Sequence, residues 1–342
     1  GSGAWSLRAR SGNRAKLLAK QTVTVTDTFP LVNGRPTINI DWNVHEALFV
    51  KAITTPNATV YLADDLNMDL SAYWYLPIAP GVHILGGRSS TKPGPRLLTT
   101  GNPLRFLLIE RADNVRINGI RLDGKNMGIA DKDDPGSVGI TITSSINVDI
   151  GNNEIYGWDG TAVEVMDPDE RLNLENATSV RVHDNYIHHN RHYREQGYGV
   201  KTTNGYALIE RNVFDYNRHA LAGGHEEGTG YLAYQNLLLS NGGENWEGGP
   251  LETYTHQFDV HGSKVCGGGK DAYCGHAAEY IDYPYNTSHY TAGNFIKVRG
   301  YPDIRADVTR NAIAILLRDP IVQTDGNNLY QWNNQLFASS SY

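Results

Sequence analysis

Gly160-Thr-Ala-Val-Glu-Val165, Tyr198-Gly-Val-Lys-Thr202, His219-Ala-Leu-Ala-Gly223, His256-Gln-Phe-Asp-Val-His261 and Asn294-Phe-Ile-Lys-Val-Arg299 share one pattern. Apolar residues alternate with polar or small ones, which is the two-residue period of a strand that buries one face. Ser137-Val-Gly-Ile-Thr-Ile142 precedes them in the same style. One inward residue from each stretch gives the series Ile140, Val163, Val200, Leu221, Phe258 and Ile296, at intervals of 23, 37, 21, 37 and 38. The short intervals fit one turn of a parallel β coil. The long ones fit a coil plus an excursion of about 15 residues. The spacing predicts an all-β chain, a single-stranded right-handed parallel β-helix with long loops on one face.

A second set of short strands runs between these. It includes Asn147-Val-Asp-Ile-Gly-Asn-Asn-Glu-Ile-Tyr156, Val180-Arg-Val-His-Asp-Asn-Tyr-Ile-His188, Ala207-Leu-Ile-Glu-Arg-Asn-Val-Phe214, Leu232-Ala-Tyr-Gln-Asn-Leu-Leu-Leu239 and Glu279-Tyr-Ile-Asp-Tyr-Pro-Tyr-Asn286. An Asn recurs near one corner, at Asn185, Asn212, Asn236 and Asn286. Stacked Asn side chains bond from coil to coil in repeating β structures. Residues 4–342 read as a single domain, because no Pro-, Ser- or Gly-rich linker divides them. Residues 4–100 are expected to form an N-terminal cap with the first coils, including a short helix within Asp41-Trp-Asn-Val-His-Glu-Ala-Leu-Phe-Val-Lys-Ala52. Residues 100–320 are expected to form regular coils with loop excursions.

Composition narrows the function. The 342 residues hold 30 Lys+Arg against 37 Asp+Glu, a net charge of −7, so the surface as a whole repels nucleic acid. No apolar run reaches the ~20 residues of a membrane span. Cys266 and Cys274 flank Gly-Gly-Gly-Lys-Asp-Ala-Tyr, a spacing that closes into a small disulfide loop and points to secretion or another extracytoplasmic compartment. Two free thiols are the alternative. Sequons at Asn57, Asn176 and Asn286 are compatible with secretion.

The coil spacing over roughly residues 100–320 resembles that of the pectate lyase-like superfamily of carbohydrate-active β-helices. Fold does not give function, so the side chains must. If Val163, Val200, Leu221, Phe258 and Ile296 point inward, their successors Glu164, Lys201, Ala222, Asp259 and Lys297 point outward. Two positions further lie His261 and Arg299, with Gly224 in the same row. One face therefore gathers charges of both signs around small residues, which suits an anionic sugar. Excursions add Arg218, His219, His225, Glu227, Trp246, Tyr254 and His256 near this face. Phe258-Asp-Val-His261 resembles the Asp-x-His motif of mannuronan C5-epimerases, with Val260 where those enzymes have Pro. Lys201-Thr-Thr-Asn204 followed by Ile209-Glu-Arg-Asn-Val-Phe214 is similar to a segment of chondroitinase B and related alginate lyases. In those enzymes the Lys is the base, and the Arg expected a coil later is missing here.

Both resemblances imply removal of the C5 proton of a uronate, ending in elimination or in reprotonation from the other face. The chemistry needs a cation on the carboxylate, a base at C5 and an acid at O4. Lys201, His261, Asp259, Arg299 and His219 are the catalytic candidates. Lys201 and His261 would exchange protons, Arg299 would neutralise the carboxylate, and Asp259 would orient His261 or hold a cation. Glu164, Arg218, His225, Trp246, Tyr254, His256 and Lys297 are substrate-binding candidates. A divalent cation, calcium or zinc, is an open expectation, with Asp259, His261, His225 and Glu227 as ligand candidates. The rivals are a glycoside hydrolase, a metal-dependent hydrolase, and a glycan-binding β-helix without catalysis. Glu164 and Asp259 lie three coils apart, about 14 Å, too far for a hydrolytic carboxylate pair, which leaves Asp259 with Glu226 or Glu227 as the pair open to a hydrolase. The expected partner is a polysaccharide, with the protein as a monomer.

Overall fold

Short alternating strands cannot each bury their apolar side alone, and here they do so by winding. The computed structural model describes residues 29–125, 136–192, 196–245, 253–266, 273–315 and 319–338. Each turn of the chain contributes one strand to each of three long sheets of nine, twelve and ten strands. One turn runs through Tyr198–Thr203, Tyr206–Glu210 and Val213–Asp215, and the next through His219–Gly223, Gly230–Tyr234 and Leu237–Leu238. Neighbours in each sheet are parallel and follow chain order, so the chain is a parallel β-helix. Coils extend to both sides of residues 100–320, from Arg35–Ile40 to Gln335–Ala338.

The six inward residues read from the sequence pair with one another in that order, and all are fully buried. They belong to an interior of Ile, Val and Leu with rings at Phe214, Phe258, Tyr231 and Tyr283. At the N-terminal end the helix Glu46–Ile53 buries Phe49, Ala52 and Ile53 against the first coils and covers strand edges that would otherwise be open. It starts later than the 41–52 stretch suggested.

One corner of the coil is built from a repeated pair. Asn152, Asp184, Arg211, Gln235, Tyr285, Arg310 and Asn333 all adopt left-handed backbone, with φ between 52° and 61°. Each is followed by an Asn: Asn153, Asn185, Asn212, Asn236, Asn286, Asn311 and Asn334. Each of the first six takes the Oδ1 of the next as acceptor for its backbone N–H, at 2.8–3.0 Å. Side-chain Nδ2 groups of Asn185, Asn212, Asn236, Asn286 and Asn311 reach the same oxygens at 2.9–3.1 Å. The ladder satisfies polar groups that the turn would otherwise bury unpaired. Asn286 is a sequon residue, yet it is fully buried in this ladder and offers no glycosylation site in the folded chain.

Excursions leave the coil on both sides of the nine-stranded sheet. One carries the antiparallel pair Glu244–Asn245 and Thr253–Tyr254, the other the pair Lys264–Val265 and Tyr273–Cys274. The second hairpin is closed by the Cys266–Cys274 disulfide, with Cα atoms 5.9 Å apart. No helix of the described residues is long and apolar enough to cross a membrane.

Candidate active site

The register of the nine-stranded sheet aligns Glu164, Lys201, Ala222, Asp259 and Lys297 in one outward row. His261 and Arg299 are partners in the row beside it. These are the positions that strand alternation predicts. Their contacts are more specific than a charge ladder.

Asp259 is the hub. Arg299 grips it with two hydrogen bonds, Nε to Oδ1 at 3.0 Å and Nη2 to Oδ2 at 2.6 Å. His256 Nε2 lies 2.7 Å from the same Oδ1. Both partners of the ion pair are buried, as is His256. Burial alone would raise the Asp259 carboxyl, but Arg299 and His256 outweigh it and hold the group well below the usual carboxylate range. From inside the coil, Tyr231 donates its hydroxyl to the Asp259 backbone carbonyl at 3.2 Å. Gly223 makes room for that ring, because a side chain there would press on Tyr231 at 3.1 Å.

His219 is wholly buried between Tyr198 and His256, with ring centroids at 5.6 and 4.6 Å. Its Nδ1 lies 2.5 Å from the His256 carbonyl and its Nε2 lies 4.0 Å from Asp259 Oδ2. Desolvation, and then the charge of Arg218, hold the imidazole well below its ordinary pKa, so it is neutral. Desolvation likewise lowers His256, against the pull of Asp259.

His261 is half-buried, and its ring meets Tyr273 edge-on at 3.9 Å. Tyr273 also lies beneath the Arg299 guanidinium, 4.8 Å from ring centroid to cation. Desolvation and the nearby Arg299 charge bring His261 down to about 4. It therefore stands neutral at pH 7, beside a cation whose position is fixed by two hydrogen bonds.

Lys201 is paired with Glu164, Nζ to Oε1 at 3.3 Å. Lys297 lies next to Asp259 in the row, and its charge reaches His256. Arg218 is buried, and its charge reaches His219. His225 and Glu227 are exposed in the turn that follows the strand, and the His225 charge acts weakly on His261. Tyr254 stands exposed on the first hairpin, beside the buried His256. Trp246 lies outside the described residues.

The small-residue dip is smaller than the sequence implies. Ala222 is buried, and a side chain on Gly224 would collide with the Glu226 carboxylate, which occupies that space. A further buried histidine, His188, stands apart from this face. His188 is sandwiched by Tyr156 and Tyr186 at 4.9 and 4.1 Å, with its Nε2 3.2 Å from Glu154, on the ten-stranded sheet.

Tyr198, Thr255 and Tyr273 belong to the site but are not among the candidates that the sequence offers. Tyr198 was within reach, since it stands two residues before Val200 as His219 stands two before Leu221. Tyr273 was not, because only closure of the disulfide hairpin brings it over the sheet.

The sequence matches no family profile and no curated protein. Among solved structures, an alginate lyase from Paenibacillus sp. str. FPU-7 is similar at a TM-score of 0.40 and 11% identity, over 88% of this chain and 95% of that one. The functional reading therefore rests on this chain's own side chains.

Proposed function

We propose that the nine-stranded face binds an acidic polysaccharide and acts on a uronate residue by removing its C5 proton. The observation that carries this reading is the pairing of a neutral, half-buried His261 with the fixed cation Arg299, on a face that also presents Lys201 and Lys297. A uronate C5 proton becomes removable when the attached carboxylate is neutralised and negative charge can spread into it. Arg299 and Lys297 supply that positive field. His261 accepts the C5 proton. The electron pair of the C5–H bond then forms a C4–C5 double bond, while the C4–O bond breaks and its oxygen takes a proton from Lys201. If the C4–O bond holds, a proton returned to the opposite face of C5 gives the epimer instead. Lys201 and His261 are two strands and two residues apart, about 12 Å between backbones. That gap is one which their side chains and a bound sugar ring can fill.

Hydrolysis is disfavoured by the state of the carboxylates. Glu164 is tied to Lys201, and Asp259 is held ionised by Arg299, so Asp259 does not stand ready as a protonated acid. The disulfide supports a location outside the reducing cytoplasm.

The test is incubation with uronate polysaccharides. Elimination yields unsaturated ends that absorb in the ultraviolet, and epimerisation changes the NMR epimer ratio. His261→Ala and Lys201→Ala should each lower turnover at least about 10²-fold with folding intact. Saturated reducing ends would assign the face to hydrolysis, and binding without turnover would assign it to recognition.

A further inference from the structure

The buried trio behind the proposed acid–base pair has a valence left open. His219, His256 and Asp259 each offer a ligand atom, all three within 4.8 Å of one another, and all three residues are at least nine-tenths buried. The His219 tautomer follows from its contacts. Nδ1 lies against a backbone carbonyl, which only accepts, so Nδ1 carries the hydrogen and Nε2 keeps a lone pair. Among the described residues that lone pair has no hydrogen-bond partner. It faces Asp259 Oδ2 across 4.0 Å.

The carboxylate can be counted in the same way. It has about four lone-pair sites. Oδ1 accepts from Arg299 Nε and from His256 Nε2, and Oδ2 accepts from Arg299 Nη2. One site on Oδ2 remains for the side of His219. Two buried acceptors thus confront one another at 4.0 Å, somewhat more than the about 3.3 Å that separates two ligand atoms of a tetrahedral zinc ion, so a small inward shift of the two side chains would seat the ion.

We propose that His219 Nε2, His256 Nε2 and Asp259 bind one divalent transition-metal ion of the zinc type, with solvent completing its coordination. Two imidazoles and one carboxylate suit a borderline ion rather than calcium, which takes six to eight oxygens. His256 must then present Nε2 as a lone pair. Its proton moves to Nδ1, where Thr255 Oγ1 waits 2.9 Å away to accept it, so no net proton is lost. Both ligand histidines would then have their other nitrogen held by an oxygen, as metal-binding histidines usually do. Arg299 stays on Asp259 and orients it from outside. Of the ligands expected from sequence only Asp259 belongs to the trio, since His261 packs on Tyr273 outside it and His225 and Glu227 lie exposed on the turn. The inference does not depend on the reaction proposed for the face.

The experiment uses the full chain without a polyhistidine tag, stripped with chelator and titrated with Zn²⁺ by calorimetry. One equivalent should bind saturably and raise the thermal unfolding midpoint. Co²⁺ in its place should give the visible absorption of a four-coordinate site. His219→Gln and His256→Gln should each weaken Zn²⁺ binding at least about 100-fold, and Thr255→Val about 10- to 100-fold. His225→Ala should leave it unchanged. Thr255→Val keeps the shape of the side chain, so it tests the site even if a histidine variant misfolds. Absence of saturable binding, or Zn²⁺ affinity unchanged in the His219, His256 and Thr255 variants, would overturn the proposal.

Discussion

Arg299 is where the charge of the face is set, because one guanidinium both fixes Asp259 and depresses His261. Two outcomes follow. His261 gains its proton only near pH 4, so a rate that needs it as base should rise through about pH 4 and be flat towards neutrality. A rising limb near the ordinary imidazole value of about 6.5 in kcat/KM would remove His261 from that role. Asp259→Asn leaves Arg299 buried without its counter-charge and should cost about 3–5 kcal/mol in denaturant unfolding. A loss below 1 kcal/mol would mean that the pair is solvated. Which residues share the face was legible, since alternation and spacing are properties of the chain itself. How they pair was not. The Arg299 fork on Asp259 and the His256 contact depend on side-chain reach across coils, and two residues called substrate-binding, His256 and Arg218, lie buried.

The Asn corner shows the limit of sequence reading at the level of the element. Four of its members are visible as a recurring Asn, while Asn153 lies unremarked in the first of the same stretches and Asn311 and Asn334 follow the last of them. The left-handed residue before each Asn was not visible, because its identity varies from Asp to Arg to Tyr and only the backbone is shared. Within the ladder, position should govern cost. Asn212 accepts from the Asn185 backbone and side chain and donates to Val182 and Asn236. Asn212→Ala should therefore destabilise by about 3 kcal/mol or more, since several buried polar groups lose their partner at once. Asn334→Ala, at the half-buried end, should cost less than about 1 kcal/mol. Equal losses at the two sites in urea titrations would show that the ladder is not cooperative with the core.

Across the whole molecule, several neutral histidines make the fold acid-sensitive. His219, His256, His261 and His189 all have lowered pKa values, each chiefly through desolvation. The unfolded chain takes up these protons near pH 6.5, while the folded chain resists until lower pH. Their contribution is therefore complete above about pH 6.5 and is lost as pH falls through the folded values. The thermal midpoint should drop steadily from pH 7 to pH 4.5. A level midpoint over that interval would contradict the burial of these rings. The sequential strand order has a further consequence, for heredity. Within each long sheet a coil's strand pairs with those of the coils before and after it, so a tandem copy of residues 198–218 would find parallel neighbours on both sides. Duplication can thus lengthen the scaffold by whole rungs, while insertions between rungs alter the excursions that border the working face. Lineages carrying this architecture can change size and chemistry by separate mutations, neither obliging the other to be redesigned.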